Sequence, residues 1–179
     1  MSYEAALSKA WVEIERLSAE KNFTLKFFSD EYSVDAVNRK IISLSCNVPA
    51  KDFVSILLLH YLERQIQGLP ELSGEWISFK ELESGESYYP AFRKRAIEPV
   101  LRKYGSNPRA IIKEGSRKVD QADAAVIIEA FAGVPILVEL WAGDDEFKAE
   151  ANMLFDRSIA NIFCTEDVAV LGGFAAKYV

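Results

Sequence analysis

The single histidine, His60, sits inside the most apolar stretch of the chain, Phe53 to Leu62, with Arg64 one helical turn further on. At about 100° per residue, Phe53, Val54, Leu57, Leu58, Tyr61, Leu62 and Ile66 sweep a broad apolar arc. Asp52, Glu63 and Gln67 fall in the remaining gap, and His60 lies at its edge. An imidazole there can exchange protons near neutral pH. It suits a packed, hydrogen-bonded helix position equally well. A second set is Asp144-Asp145-Glu146, which follows the apolar run ending at Trp141. Oxygen-rich loops of this kind hold hard cations, but the spacing of a calcium loop and its distal Glu is absent, so no metal site is assigned. A third set is the basic run from Arg93 to Lys118, interleaved with Phe92 and Tyr104 and preceded by Tyr88 and Tyr89. Arginine beside aromatic side chains grips anions.

No Ser or Cys nucleophile lies in a recognisable motif, and there is no glycine-rich phosphate loop. Three readings remain. The leading one is a small ligand-binding or accessory domain whose surface combines His60, Arg64, Trp76, Tyr89, Arg93, Trp141 and Asp144. The second is an acid–base or metal-assisted enzyme pairing His60 with Glu139, Asp144, Asp145 or Glu146. The third is a protein-interaction or self-association module using Trp11, Trp76 or Phe174.

The elements that must position these residues follow from patterning. Leu7, Ala10, Trp11, Ile14 and Leu17 mark an amphipathic helix over about residues 3–20. Three alternating segments, 23–27, 32–36 and 42–46, read as an antiparallel meander, with Cys46 sharing the apolar face of Ile42 and Leu44. Pro49 suits the first turn of the central helix, and Gly68 with Pro70 marks its end. Pro90 opens a further helix, which Pro99 must kink or split before Gly105. Segments 124–128 and 134–141 predict a β-hairpin. Its loop parity decides whether Glu129 shares a face with Glu139 and Trp141. Thr165 reads as the N-cap of a last helix, weakened by Gly172-Gly173 unless a neighbour approaches closely there. The expected fold is α+β. One domain over residues 1–179 carries an antiparallel sheet, the N-terminal meander plus the C-terminal hairpin, packed by a buried central helix and flanking helices.

Composition agrees with a globular chain: of 179 residues, 50% are hydrophobic and 27% charged. The longest apolar run is too short to span a bilayer, and the N-terminus shows no basic and apolar leader, so a cytoplasmic protein without membrane association is expected. A net charge of −6 disfavours nucleic acid and leaves an anionic small molecule or a partner protein as the expected partner. Oligomeric state has no signature in the chain. Cys46 and Cys164 are too few for a disulfide framework and are expected as buried thiols of a reducing compartment.

Taken together, His60-Tyr61-Leu62, Trp76-Ile77-Ser78-Phe79-Lys80-Glu81-Leu82, Tyr89-Pro90-Ala91-Phe92, Leu140-Trp141-Ala142-Gly143-Asp144-Asp145-Glu146-Phe147, Leu154-Phe155-Asp156 and Thr165-Glu166-Asp167 resemble the prokaryotic domain-of-unknown-function family 3786. That resemblance implies an origin in an anaerobic bacterium or methanogenic archaeon and a role near anaerobic metabolism. It supplies no activity, substrate or catalytic residue. Some relatives carry a fused cysteine-rich iron–sulfur module. With two cysteines, this chain is expected to hold no iron–sulfur cluster of its own.

Overall fold

The computed structural model describes residues 3–113 and 117–179. The architecture is α+β, with helices and two separate antiparallel sheets. The chain divides into two compact units, residues 1–71 with 161–163, and residues 72–160 with 164–179.

In the first unit, α1 (Tyr3–Leu17) lays Ala10, Trp11 and Ile14 against α2 (Asp52–Gln67). Trp11 is therefore core and offers no surface for self-association. The meander is β1 (Asn22–Phe27), β2 (Asp30–Asp35), β3 (Lys40–Ser43) and a short β4 (Val48–Pro49), paired in that order. Register puts Leu25, Phe27, Val34, Ile41 and Ser43 on the buried face and turns Ile42 outward. The expected phase of the third strand is thus off by one residue, which exchanges its two faces. Cys46 lies in the turn after β3 and is exposed, not buried. That turn is fastened by Asp30, whose carboxylate accepts hydrogen bonds from Ser43 Oγ at 2.7 Å, from Ser45 N at 3.3 Å and from Ser45 Oγ. Burial and the Asp30 charge push the Tyr32 phenol up to about 12.

Pro49 sits in β4 opposite Ile42, so α2 begins only at Asp52. The helix is the buried element its composition predicts, with Leu57, Leu58 and Leu59 fully enclosed. Each contributes roughly 1.5–3 kcal/mol of burial.

In the second unit, β5 (Trp76–Ser78), β6 (Arg117–Val119), β7 (Ala124–Phe131), β8 (Val134–Trp141) and β9 (Glu150–Asp156) form one sheet ordered β5-β9-β8-β7-β6. The predicted hairpin is β7–β8. It closes through Ala132-Gly133, where Gly133 takes φ 76°, and a bulge lies between Glu129 and Phe131. The bulge settles the parity: Glu129 pairs with Pro135 and Ala125 with Glu139, so Glu129, Glu139 and Trp141 share one face. The opposite face, with Val126, Ile136, Val138, Leu140, Met153 and Phe155, is buried. Helices α3 (Gly85–Phe92), α4 (Glu98–Tyr104) and α5 (Thr165–Tyr178) belong to the same unit, α4 against β9 and α5 against β7.

Pro90 lies within α3 and does not open it. Pro99 is absorbed by a π turn over Arg93–Ile97 that separates α3 from α4. Its missing N–H and its clash with the preceding turn require such a break. The glycine pair in α5 has the expected cause at one position. A Cβ on Gly172 would lie 2.5 Å from Phe92 Cε2, and the Phe92 ring itself stacks on Phe79 at 4.1 Å. The N-cap of α5 is Cys164, not Thr165. Thr165 is the first helical residue, and its hydroxyl donates to the Glu83 carbonyl at 2.6 Å. No helix among the described residues is long and apolar enough to cross a membrane.

Candidate functional site

The residues singled out from sequence do not share one element or one unit. His60 and Arg64 lie on α2 in the first unit; Trp76, Tyr89, Arg93, Trp141 and Asp144 belong to the second. His60 is half-buried, whereas Arg64 is exposed and donates to Gln67 Oε1 at 3.1 Å. Trp76 pairs with Asp156 at one end of β9, and Trp141 pairs with Glu150 at the other. Six residues of strand separate these two registers by about 20 Å. Tyr89 is half-buried under Lys80, whose Nζ stands 4.5 Å from the ring centre. Arg93 opens the π turn and is exposed.

Asp144 has a structural task. Its Oδ1 accepts from Phe147 N at 2.7 Å and Glu146 N at 2.8 Å, closing the acidic loop on itself. Those two backbone donors hold its carboxyl below the usual range. Among the described residues, no group of three or more His, Cys, Asp or Glu side chains is placed to hold a metal ion. Glu139 is 8% exposed on the central strand β8. Cys164 is exposed like Cys46, not the buried thiol expected, and its sulfur, partly desolvated, stands at a helix N-terminus, a position that usually favours thiolate. Burial and the neighbouring Asp167 carboxylate, 3.3 Å from the sulfur, instead push the thiol up to about 12.

Asp156 is the most heavily used carboxylate in the second unit. Oδ1 accepts from Ser73 N at 3.0 Å, Ser73 Oγ at 2.9 Å and Ser158 N at 2.9 Å, and Oδ2 accepts from Gly74 N at 2.8 Å. Burial raises its pKa, but the Ser158 and Ser73 donors outweigh that and hold the group well below the carboxylate range. The residues it fixes, Ser73 and Gly74, follow Leu72, which lines a concavity of this unit.

That concavity is a groove of about 600 Å³ beside β7. Among the described residues β6 pairs only Ala125, Val126 and Ile127, and the next residues of β7, Ile128 and Glu129, line the groove. Leu72, Ile111, Pro135 and Tyr178 complete an apolar wall, with Lys113 and Arg117 at the margin. Leu72 is 53% and Tyr178 42% exposed, so two large apolar side chains face solvent in the same depression. Glu129, also in the lining, accepts at Oε1 from Gly133 N at 3.2 Å in the hairpin turn. Arg117 makes no ion pair or hydrogen bond through its guanidinium with any described residue. The groove has the volume of a small-molecule site, and its lining mixes apolar and polar surface almost evenly.

None of the seven residues expected from sequence lines this groove. The signal that points to it is the basic run, whose last members include Lys113 and Arg117. Their partners in the wall, Ile127 and Pro135, read in sequence only as strand residues.

No curated protein and no solved structure matches the chain significantly. Residues 12–178 match the family described as domain of unknown function DUF3786. That span is nearly the whole chain, and the protein belongs to this uncharacterised family.

Proposed function

We propose that the protein is a small ligand-binding or accessory domain that works by non-covalent binding in the groove beside β7. The observation that carries this reading is the pairing of exposed apolar side chains, Leu72 and Tyr178, with cations at the margin of one depression. Singly exposed apolar side chains are common on folded chains, as Val37 and Phe147 are here, so the weight rests on Leu72 and Tyr178 sharing one concave depression. The acid–base reading centred on His60 and the self-association reading have no comparable support, and Trp11 is buried. Both cysteines are free, which fits a reducing cytoplasmic setting.

The test uses 8-anilinonaphthalene-1-sulfonate, an aromatic anion whose fluorescence reports apolar binding sites. Leu72→Asp and Tyr178→Asp are compared with Val37→Asp, at an exposed valine of the first unit. Covering half a large apolar side chain is worth about 1 kcal/mol, or roughly fivefold in affinity. The two groove variants weaken binding by that factor and Val37→Asp leaves it unchanged. Equal affinity in all four proteins would refute the reading.

A further inference from the structure

We infer that the groove takes an amphipathic monoanion, a carboxylate head on an apolar body. This rests on the groove being the binding site. Arg117 stands opposite Ile127 in the β6–β7 ladder, and Glu129 is the diagonal neighbour two residues along on the same face. Those two charges would be expected to pair. They do not: Glu129 Oε1 accepts from the Gly133 amide, and the guanidinium of Arg117 has no partner among the described residues.

A planar guanidinium left open in this way presents paired N–H donors that match a carboxylate. Lys113 lies at the same margin. The Glu129 carboxylate in the same lining opposes every negative charge on the ligand, so a single anionic head is opposed less than a dianion. Beside the head group the wall is apolar: Ile127 and Pro135 on one face of β7–β8, and Ile128 with Tyr178 further round. An apolar body placed there covers the side chains that are otherwise exposed. The chain's net charge of −6 opposes polyanions at long range while a single cationic margin still captures a small monoanion.

The experiment titrates the full chain, by calorimetry and by backbone amide shifts, with decanoate, decanol and decyltrimethylammonium. The same titrations are run on Arg117→Gln. Decanoate binds about five- to tenfold more tightly than decanol, and Arg117→Gln abolishes that margin without changing decanol. Amide shifts centre on Ile127, Ile128, Gly133 and Tyr178. Equal binding of all three ligands with shifts at those residues would overturn the anion preference and leave the groove as a binding site. Tighter binding of the ammonium compound would overturn it as well. Absence of any shift at those residues would remove both the ligand class and the groove reading.

Discussion

Replacing Asp156 with Asn separates a structural carboxylate from a catalytic one. The carboxylate of Asp156 serves three backbone N–H groups and one hydroxyl, all within 3.0 Å, and its residue is 4% exposed. An asparagine is nearly isosteric and keeps one oxygen. If that oxygen holds the three donors on the Oδ1 side, the amide nitrogen must face Gly74 N, and two donors then meet. One charge-assisted bond is lost, the others weaken, and a backbone N–H is left unpaired. Hydrogen bonds to charged groups are worth about 1.5–3 kcal/mol each, so the expected cost is about 3 kcal/mol.

The pH dependence has a definite sign. Asp156 has a folded-state pKa below its unfolded value, so its stabilisation is complete above the unfolded value near 3.9 and is lost as pH falls towards the folded one. At pH 3 the unfolded carboxyl is mostly protonated while the folded one is still ionised. The wild-type advantage over Asp156→Asn is then smaller by about 1.3 kcal/mol than at pH 7. Urea unfolding of both proteins at pH 7 and pH 3, read by circular dichroism, gives the difference directly, because other acid-sensitive groups cancel. Amide exchange at Ser73, Gly74 and Ser158 locates it. A cost below about 1 kcal/mol, or a gap that does not narrow in acid, would refute the assignment.

Three other outcomes follow from the second unit. Gly172→Ala places a methyl 2.5 Å from Phe92 and destabilises by about 1–3 kcal/mol, measured as a lower midpoint in urea. At Gly173 the nearest atom to an added Cβ is the Arg95 carbonyl oxygen at 3.9 Å, so Gly173→Ala instead gains up to about 1 kcal/mol of helix propensity. At pH 8 iodoacetamide alkylates Cys46 ahead of Cys164, and Asp167→Asn narrows the difference, as peptide mass spectrometry will show.

Sequence patterning located most elements because each is organised by burial, and burial has a period. The central helix, the meander and the β7–β8 hairpin all appear where apolar spacing places them. The misplacements occur where a single residue outweighs periodicity. Ile41 and Ile42 are adjacent and equally apolar, so patterning alone does not say which of them faces the core. The bulge before Phe131 decides which face carries Glu129, and no residue type marks it. Pro90 is the sixth residue of α3, past the first turn that a proline usually marks, so its type does not locate the helix start. The candidate site was less legible still. Residue type alone does not bring aromatic and charged side chains together, and Trp76 and Trp141 pair with opposite ends of β9. The groove depends on where β6 and β7 stop pairing and on what Glu129 bonds, which are facts of three dimensions.

The segments that carry the family resemblance have physical explanations that require no ligand. Ser78 N donates to Glu81 Oε2 at 2.7 Å and fixes the turn after β5. Phe79 stacks on Phe92, and Phe92 fills the space left by Gly172. Asp144 closes its own loop, Asp156 clamps residues 73–74, and Thr165 ties the start of α5 to Glu83. A set of this kind specifies a scaffold, because each member satisfies a backbone group or a packing gap created by another. The resemblance is therefore evidence about the fold of the second unit. Chemistry must be sought where side chains are left uncommitted by that scaffold. Arg117 and Leu72 meet that condition together in one groove, and the motif residues Ser78, Asp144, Asp156 and Thr165 do not.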